Sequence, residues 1–331
     1  AGASRLPFST FQSKQPAGAV HLPLSALHSA ETSFETSPLA NPLPRTYRHF
    51  LYKSFKINYD VSSTDPTRPP ILLIHGFGGS INHWRYNAPY LHSLGYNVVR
   101  VDLLGFGASD KPAPSPSVEY CMELFEDVCY SLVEHVEGVG EVERGAEWIV
   151  GGNSIGGLTS LLLGRRLGHA RCPGVVLFNA SGGMTSFRYS ELPPLLRPVL
   201  WLVQNVVLGQ FGTAFWNNFK QPSNVENILR TQVYKNNDTN VDEQLLDIIL
   251  APSYDEGARE VFLAVFGGQA GPTPEEVIGG FEAGQKVLAL WGTGDLWTPL
   301  ETGLHPGAEF GRYAPEGVEY ELVRLDGVGH C

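Results

Sequence analysis

The sequence is poor in several features that mark whole classes of protein. It has 4 cysteines in 331 residues, too few for a disulfide scaffold, and they form no CxxC or Cys/His cluster that would indicate a metal site. It contains no run of 18 or more apolar residues, which argues against a transmembrane helix. Its 23 lysines and arginines are outnumbered by 34 aspartates and glutamates, giving a net charge of -11, and this argues against nucleic acid as the main partner. We therefore expect no metal, no cofactor and no nucleic acid.

The remaining composition is typical of a globular protein. Hydrophobic residues make up 43% of the chain and charged residues 17%, and the length suits one large α/β domain or two ordinary ones. Residues 1–46 differ, because they are rich in proline and serine and show no clear period. Residues 1–30 contain Arg5, Lys14 and five serines, with no acid before Glu31. This segment fits either a disordered terminus or the remnant of an organelle transit peptide.

Short apolar runs alternate with helical patterns along the rest of the chain, which predicts a doubly wound, mostly parallel sheet. The apolar spacing from Cys121 to Val136 is helical, and so is the pattern from Leu158 to Leu167. The boundaries that we predict are 47–181 for the first part of the core, 182–284 for an inserted helical cap and 285–331 for the second part of the core. The predicted strands are Lys53–Tyr59, Ile71–Ile74, Asn97–Val101, Trp148–Val150, Val175–Phe178, Val287–Trp291 and Tyr320–Val323.

The segment Gly152-Asn153-Ser154-Ile155-Gly156 fits the pattern G-x-S-x-G. It follows a predicted strand and precedes a predicted helix, the setting of a nucleophile on a strained turn. Cβ atoms at the flanking glycines would collide with the neighbouring strand and helix. Ser154 is therefore the candidate nucleophile, although a glycine-rich turn without chemistry would have the same pattern.

A second glycine-rich loop, His75-Gly76-Phe77-Gly78-Gly79, follows the strand Ile71–Ile74. An acyl-transfer enzyme needs two backbone N–H groups aimed at the developing oxyanion. We expect these groups to come from Phe77 and from Ile155, the residue after the nucleophile. His75 is interpreted as a structural histidine that holds the loop.

The candidate acid and base follow the last two predicted strands. Asp295 ends the segment Trp291-Gly292-Thr293-Gly294-Asp295, and His330 lies in a glycine-rich loop near the C-terminal end of the sequence. In open α/β sheets catalytic groups collect at the carboxyl ends of the strands. The chain order Ser154, Asp295, His330 is that of a serine hydrolase triad, in which His330 would take the serine proton and Asp295 would orient the imidazole. Asp326 is a rival acid, ranked lower because it lies only four residues before His330.

These motifs resemble the α/β-hydrolase superfamily over residues 50–331. The segment Val101–Pro112 is similar to its D-x-x-G-x-G-x-S loop. Four narrower features resemble the pheophytinase and chlorophyll dephytylase group of plastids and cyanobacteria: Gly152–Gly157, Phe178–Ala180, Val233-Tyr234 with Asn240-Val241-Asp242, and Gly329–Cys331. Members of that group hydrolyse the phytyl ester of chlorophyll-type pigments. The resemblance implies the α/β-hydrolase fold, Ser154, Asp295 and His330 as the triad, and a location in the chloroplast, with possible association with the thylakoid.

The sequence departs from that family at two points. The family's acid is usually followed by Pro-Trp, whereas Leu296-Trp297 follows Asp295 here. The family also usually continues past Gly-His-Cys into Pro-His-Asp and a final helix, so we expect one face of the sheet near His330 to be uncovered and activity to be poor.

The predicted cap contains an unusually apolar stretch, Leu192–Leu208. If this stretch is a helix, it must be buried, line an apolar tunnel or contact a membrane surface. We expect part of this stretch to form the wall for a long-chain or isoprenoid ester, although packing of the cap on the core fits equally well. The candidate substrate-binding residues are Leu195, Leu196, Val199, Leu200 and Trp201.

The sequence leaves several functions open within this fold. A serine ester hydrolase acting on a hydrophobic ester is the leading interpretation, and removal of phytol is its sharpest form. A general lipase or carboxylesterase, an acyltransferase, and a ligand receptor with slow turnover would keep the same residues. Epoxide hydrolases and dehalogenases of this fold use an aspartate nucleophile, so Ser154 argues against both.

Overall fold

The computed structural model describes residue 45 and residues 47–184, 208–268, 270–303 and 305–331. The five residues expected to form the substrate wall, Leu195, Leu196, Val199, Leu200 and Trp201, lie outside this part of the chain. So does almost all of the segment 1–46.

A single eight-stranded sheet organises the described residues, in the order β1-β2-β4-β3-β5-β6-β7-β8. The pairs β1–β2 and β2–β4 are antiparallel, whereas every pair from β4 to β8 is parallel. The predicted doubly wound, mostly parallel sheet is therefore confirmed. The strands are β1 Arg48–Tyr52, β2 Phe55–Val61, β3 Pro70–Ile74, β4 Asn97–Val101, β5 Ile149–Ser154, β6 Gly174–Ala180, β7 Lys286–Gly292 and β8 Glu319–Leu325.

Helices flank the sheet and fill the connection between β6 and β7. The apolar face of α2 and nearly the whole of α3 are buried in the core with β3, β4 and β5. Strands β3 and β4 are buried along their full length, as expected for parallel strands covered on both faces. The described α-helices are α1 Asn87–Ser93, α2 Met122–Gly138, α3 Ile155–Leu167, α4 Leu208–Phe219, α5 Pro222–Ile228, α6 Glu243–Leu250, α7 Ala258–Phe266 and α8 Pro274–Ile278.

The inserted helices attach to the core through an aromatic cluster. Trp216 of α4 and Phe262 of α7 are buried against each other, with ring centroids 4.8 Å apart. Phe77, from the loop after β3, packs on Phe262 at 5.2 Å. This cluster brings the predicted oxyanion loop next to α4 and α7, so these helices form a wall beside it.

Two elements differ from the sequence-based expectation. Strand β1 was not predicted, although Phe50 and Tyr52 alternate toward the interior. Helix α3 begins at Ile155 rather than at Leu158, directly after Ser154. Glycines in a first helical turn lower intrinsic helix propensity, and here close packing on β5 and β6 outweighs that cost.

Strand β8 forms one edge of the sheet, and none of its seven residues is fully buried. Among the described residues, no helix is long and apolar enough to cross a membrane.

Candidate active site

Ser154 ends β5 on a strained turn. Its backbone has φ 56° and ψ -123°, in the region that side chains other than glycine rarely adopt. A Cβ atom on Gly152 would lie 2.1 Å from the Gly156 carbonyl oxygen, and one on Gly156 would lie 2.3 Å from the Ile74 carbonyl oxygen. Only glycine fits at either position, as the motif predicted. The turn therefore holds the serine at the carboxyl end of β5 while α3 starts immediately behind it.

The predicted oxyanion loop passes directly against this turn. A Cβ atom on Gly76 would lie 3.0 Å from Ser154 Cβ and 2.8 Å from Asn153 Oδ1. The Phe77 N–H makes no backbone hydrogen bond in the described part of the chain. Ile155 is the first residue of α3, so its N–H has no partner within the helix. Both N–H groups are thus free to bind a ligand atom beside Ser154.

His75 supports this loop from beneath, as the sequence suggested. Its Nδ1–H donates to the carbonyl oxygen of Gly76 at 2.7 Å, and its Nε2 accepts from the Leu103 N–H at 3.1 Å. Burial lowers the pKa of this imidazole, so it stays neutral with both nitrogens occupied. His75 therefore positions the loop and has no free nitrogen for Ser154.

Asp295 and His330 form the second half of the site. His330 Nδ1 lies 2.8 Å from Asp295 Oδ2, and both side chains are buried. The other carboxylate oxygen, Oδ1, accepts from the backbone N–H groups of Trp297 at 2.7 Å and Thr298 at 3.0 Å. The rival acid, Asp326, is exposed. Asp295 is thus the carboxylate that contacts the imidazole.

The protonation state of this pair follows from its contacts. Burial alone would raise the pKa of Asp295, but the hydrogen bond and charge of His330 and the hydrogen bonds from Thr298 hold it below its ordinary value. An ionised carboxylate only accepts hydrogen bonds, so the proton between the two groups belongs to His330 Nδ1. In the neutral imidazole, His330 Nε2 then carries the lone pair that a general base requires.

Asn179 and Thr298 complete the polar network, and the sequence assigned neither of them a role. The amide nitrogen of Asn179 donates to Asp295 Oδ2 and to the Gly329 carbonyl oxygen, each at 2.8 Å. Its amide oxygen accepts from the Gly292 N–H at 2.9 Å, and its backbone φ is 48°. The Thr298 hydroxyl donates to Asp295 Oδ2 at 2.6 Å. The only signal for Asn179 in the sequence is the motif Phe178-Asn179-Ala180, which carries part of the family resemblance but does not indicate a role.

The His330 loop is held from two sides. Asn153, next to the nucleophile, donates to the carbonyl oxygens of Phe178 and His330, both at 3.1 Å. The His330 N–H donates to the Val233 carbonyl oxygen at 2.7 Å, which ties the loop to the inserted segment. The imidazole also lies in a stacked arrangement with Trp297, with ring centroids 6.1 Å apart.

Ser154 and His330 line the same cavity. No hydrogen bond of the described residues joins the serine hydroxyl to the imidazole. In enzymes without substrate this bond is commonly long, and it tightens when substrate binds. The structure therefore brings the candidate nucleophile, Ser154, and the candidate base, His330, to one cavity.

The cavity is partly open to solvent. Ser154 and His330 reach it from the ends of β5 and β8, Lys111, Lys220 and Ser253 also line it, and its remaining walls are predominantly apolar. Among the described residues, no cluster of histidine, cysteine and acidic side chains is arranged for a metal ion. The main apolar lining residues are Phe77, Phe106, Trp216, Phe219, Val225, Ile228, Leu229, Val233, Ile249, Leu250, Val261 and Phe262.

Comparison with protein-family models matches residues 69–331 to the alpha/beta hydrolase fold. Among curated proteins, the chain is 37% identical over 92 residues to epoxide hydrolase 1 of Siraitia grosvenorii, a match that covers 28% of each protein. It is also 37% identical over 92 residues to lipase 1 of Psychrobacter immobilis, covering 28% of this chain and 26% of the lipase. The matches thus span less than a third of these relatives.

Solved structures match over a larger part of the chain. A thermophilic esterase from Thermogutta terrifontis superimposes with a TM-score of 0.55 at 19% identity, covering 83% of this chain and 86% of the esterase. At this identity the likeness concerns the fold alone.

Proposed function

The chain belongs to the alpha/beta hydrolase fold family, and on that premise we propose that it is a serine hydrolase of hydrophobic carboxylic esters. One observation carries the proposal: a serine on a strained turn shares an apolar cavity with an imidazole whose Nδ1 is hydrogen-bonded to a buried carboxylate. Such a set supports nucleophilic acyl transfer.

The proposed reaction has two acyl-transfer steps. Ser154 Oγ attacks the ester carbonyl carbon while His330 Nε2 takes its proton, and the Phe77 and Ile155 N–H groups bind the oxyanion. His330 then returns the proton to the departing alcohol, which leaves an acyl-enzyme. Water attacks the acyl carbonyl with His330 again as base, and this releases the acid and restores Ser154.

For the substrate, we propose an ester with a long apolar chain, and in the sharpest form the phytyl ester of pheophytin or chlorophyll. The apolar lining supports this choice, since each buried CH₂ contributes about 0.8 kcal/mol of binding free energy. The resemblance of Gly152–Gly157, Phe178–Ala180 and Gly329–Cys331 to the dephytylating group points the same way. A plastid location and peripheral contact of the inserted segment with a thylakoid surface belong to the same proposal.

Epoxide hydrolysis is a competing reaction, because one of the relatives is named for it. In epoxide hydrolases of this fold an aspartate carboxylate attacks the epoxide carbon, whereas the residue at the strained turn here is Ser154. Ser154 therefore favours acyl transfer over epoxide opening.

The test is hydrolysis of pheophytin, chlorophyll, p-nitrophenyl esters from acetate to palmitate, and an aryl epoxide by wild type and Ser154→Ala. We expect Ser154→Ala to lose about 10³-fold or more in kcat, since only binding and oxyanion stabilisation remain. Ser160→Ala is the matched control, because the Ser160 hydroxyl is buried in α3, where it donates to the Gly156 carbonyl oxygen.

Each alternative predicts a different result in this assay. Full activity of Ser154→Ala would refute the nucleophile, and epoxide turnover would favour the competing reaction. Equal or better activity on acetate than on long-chain or phytyl esters would refute the substrate proposal. Product transfer to an added alcohol would identify an acyltransferase, and a single slow turnover would identify a receptor.

A further inference from the structure

His83 is a cavity residue that the proposed reaction does not use. It lies in the short helical turn Ile81–Trp84 after the oxyanion loop, and it lines the cavity together with Ser154 and His330. Its Nδ1 atom is closed off from solvent and has no hydrogen-bond partner. No hydrogen bond to its Nε2 occurs in the described part of the chain. An imidazole with both nitrogens unoccupied is unusual beside an active site, because buried polar atoms are nearly always paired.

The surroundings keep this imidazole neutral. Burial is the main cause that lowers the pKa of His83 to about 4, and Coulombic interactions with His75, His330 and Arg85 add to the effect. At neutral pH the ring therefore carries one N–H and one bare nitrogen. Because it is uncharged and has no carboxylate partner, it is poorly suited to replace His330 as the base.

The two nitrogens differ in what they can reach. An N–H on Nδ1 would have no acceptor, and buried N–H groups without an acceptor are rarer than acceptors without a donor. The proton is better placed on Nε2, since Nδ1 is enclosed and the cavity borders the rest of the ring. His83 then presents a neutral N–H donor to whatever occupies the cavity.

A neutral donor selects a neutral acceptor. A carboxylate buried beside His83 would keep an uncompensated charge, which is costly in apolar surroundings, whereas a carbonyl oxygen is satisfied by one N–H. Two cations line the same cavity. Lys111 is already bonded to Asp255 at 3.0 Å and to the Gly107 carbonyl oxygen at 2.7 Å, and the Lys220 ammonium group lies over the Trp216 and Tyr254 rings.

We propose that His83 is a specificity-determining residue, which donates a hydrogen bond from Nε2 to a second carbonyl oxygen of the substrate. The preferred substrates are then hydrophobic esters that carry a further neutral carbonyl group near the scissile ester. The proposal rests on the proposed ester hydrolysis, because it assigns the bound molecule to the same cavity.

The test uses substrates that differ by one carbonyl group. The kcat/KM of p-nitrophenyl hexanoate is compared with those of the 3-, 4- and 5-oxohexanoate esters in wild type, His83→Leu and His83→Gln. The ratio of oxo ester to plain ester is then compared between enzymes, so differences in intrinsic reactivity cancel. His49→Leu, an exposed histidine on β1, is the matched control.

For at least one oxo ester we expect His83→Leu to lower the ratio of kcat/KM between the oxo ester and the plain ester about 10- to 100-fold. This is the usual effect when a polar group in a binding site, here the second carbonyl oxygen of the substrate, loses its hydrogen-bond partner. His83→Gln, which keeps an N–H donor, should recover part of the ratio, and His49→Leu should not change it. An unchanged ratio in His83→Leu for all three oxo esters overturns the proposal. An equal loss on plain and oxo esters also overturns it, since that pattern indicates a structural role.

Binding to the inactive Ser154→Ala protein provides a second readout that does not depend on turnover. Titration of the plain and oxo esters can be followed by the fluorescence of Trp216 and Trp297, which both line the cavity. Tighter binding of an oxo ester, lost in Ser154→Ala/His83→Leu, supports the proposal, and equal binding of all esters contradicts it. Activity retained by Ser154→Ala alone refutes the ester hydrolase itself, so the two failures are distinguishable.

Discussion

The two sides of the cavity are built on different physical principles. One side is a polar ledge at the carboxyl ends of the strands, where nearly every polar atom has a named hydrogen-bond partner. The other is an apolar wall from the inserted helices, held by ring packing with centroids 4.8–4.9 Å apart around Phe262. The ledge comprises the lining residues Asn153, Ser154 and His330 together with Asn179, Asp295 and Thr298, which belong to the same hydrogen-bond network but do not line the cavity. The wall comprises Trp216, Phe219, Val261 and Phe262.

This difference suggests a division of labour. Hydrogen bonds are directional, so the ledge determines which bond is hydrolysed. Small displacements of its side chains should therefore reduce activity. Burial of apolar surface is not directional, so the wall sets how strongly a chain of given length is held. Changes to the ledge should therefore affect all esters alike, whereas changes to the wall should affect them according to chain length.

The largest effect is expected for Asp295→Asn. The new amide would donate to His330 Nδ1, so the proton would move to Nε2 and the base would be lost. We expect kcat to fall about 10³- to 10⁴-fold, to the same extent for acetate and palmitate esters. Steady-state kinetics on the p-nitrophenyl series measures this, with the exposed Asp326→Asn as control. A loss of kcat that depends on the acyl chain length of the ester would contradict the division of labour between ledge and wall. An equal loss of kcat in Asp326→Asn would contradict it too.

The second largest effect is expected from a substitution at Gly156, which lies in the first turn of α3 directly behind Ser154. Gly156→Ala places a Cβ atom 2.3 Å from the Ile74 carbonyl oxygen and 2.5 Å from that of His75. Because both neighbours are backbone atoms, they cannot move aside cheaply, and we expect a loss of about 3 kcal/mol in the free energy of unfolding. Urea denaturation followed by circular dichroism measures it.

Gly138→Ala is the matched control for this substitution. Gly138 ends α2, and a Cβ atom there meets nothing within 4 Å. Its stability should stay the same or rise by about 0.5 kcal/mol, since alanine loses less entropy in a helix. Equal stability of the two variants would show that the serine turn has room to relax.

The three candidate catalytic residues of the ledge, Ser154, Asp295 and His330, could be proposed from the sequence because each lies at or shortly after the end of a strand. Strand ends are marked by apolar runs that stop at glycines, and the parallel arrangement brings those ends to one edge. Asn179 could not be assigned in this way. Its contact with Asp295 depends on the register between β6 and β7, in strands more than a hundred residues apart.

The residues of the wall could not be predicted from the sequence either, but the reason differs from that for Asn179. An apolar residue in a helix packs against the core far more often than it contacts a ligand, and periodicity does not separate the two. The sequence drew attention to Leu192–Leu208, almost all of which lies outside the described residues, so that expectation stays a prediction. The described wall comes from α4 and α7, with Trp216 and Phe262 at its centre and Phe77 packed on Phe262.

His83 lies where ledge and wall meet, and its titration provides a smaller test. Its pKa is about 4 in the folded protein and about 6.5 when unfolded. The unfolded state therefore binds more protons between these values, so the stabilising contribution is complete above pH 6.5 and is lost as the pH falls toward 4. We expect the loss to reach about 2 kcal/mol at pH 4, reduced by the partial exposure of the ring to the cavity.

Unfolding free energies of wild type and His83→Gln measured from pH 4 to 8 test this expectation. The two curves should run parallel above pH 6.5, and below it the wild-type curve should fall relative to that of His83→Gln, because glutamine does not titrate. Curves that stay parallel to pH 4 would show that His83 is not held neutral by the fold, and they would weaken its assignment as a neutral donor.

The smallest effect is expected on the wall, and it tests the division most directly. Phe219 lines the cavity and packs on Phe262 with ring centroids 4.9 Å apart. Phe219→Ala removes apolar surface from the cavity, so kcat/KM for palmitate should fall about 5-fold while that for acetate stays within about 2-fold. Phe266→Ala is the control, because Phe266 stacks on the same Phe262 ring at 5.8 Å but is 52% exposed. If Phe219→Ala slows acetate and palmitate equally, the wall also positions the reacting ester, since a surface that only holds the chain cannot affect an ester without one.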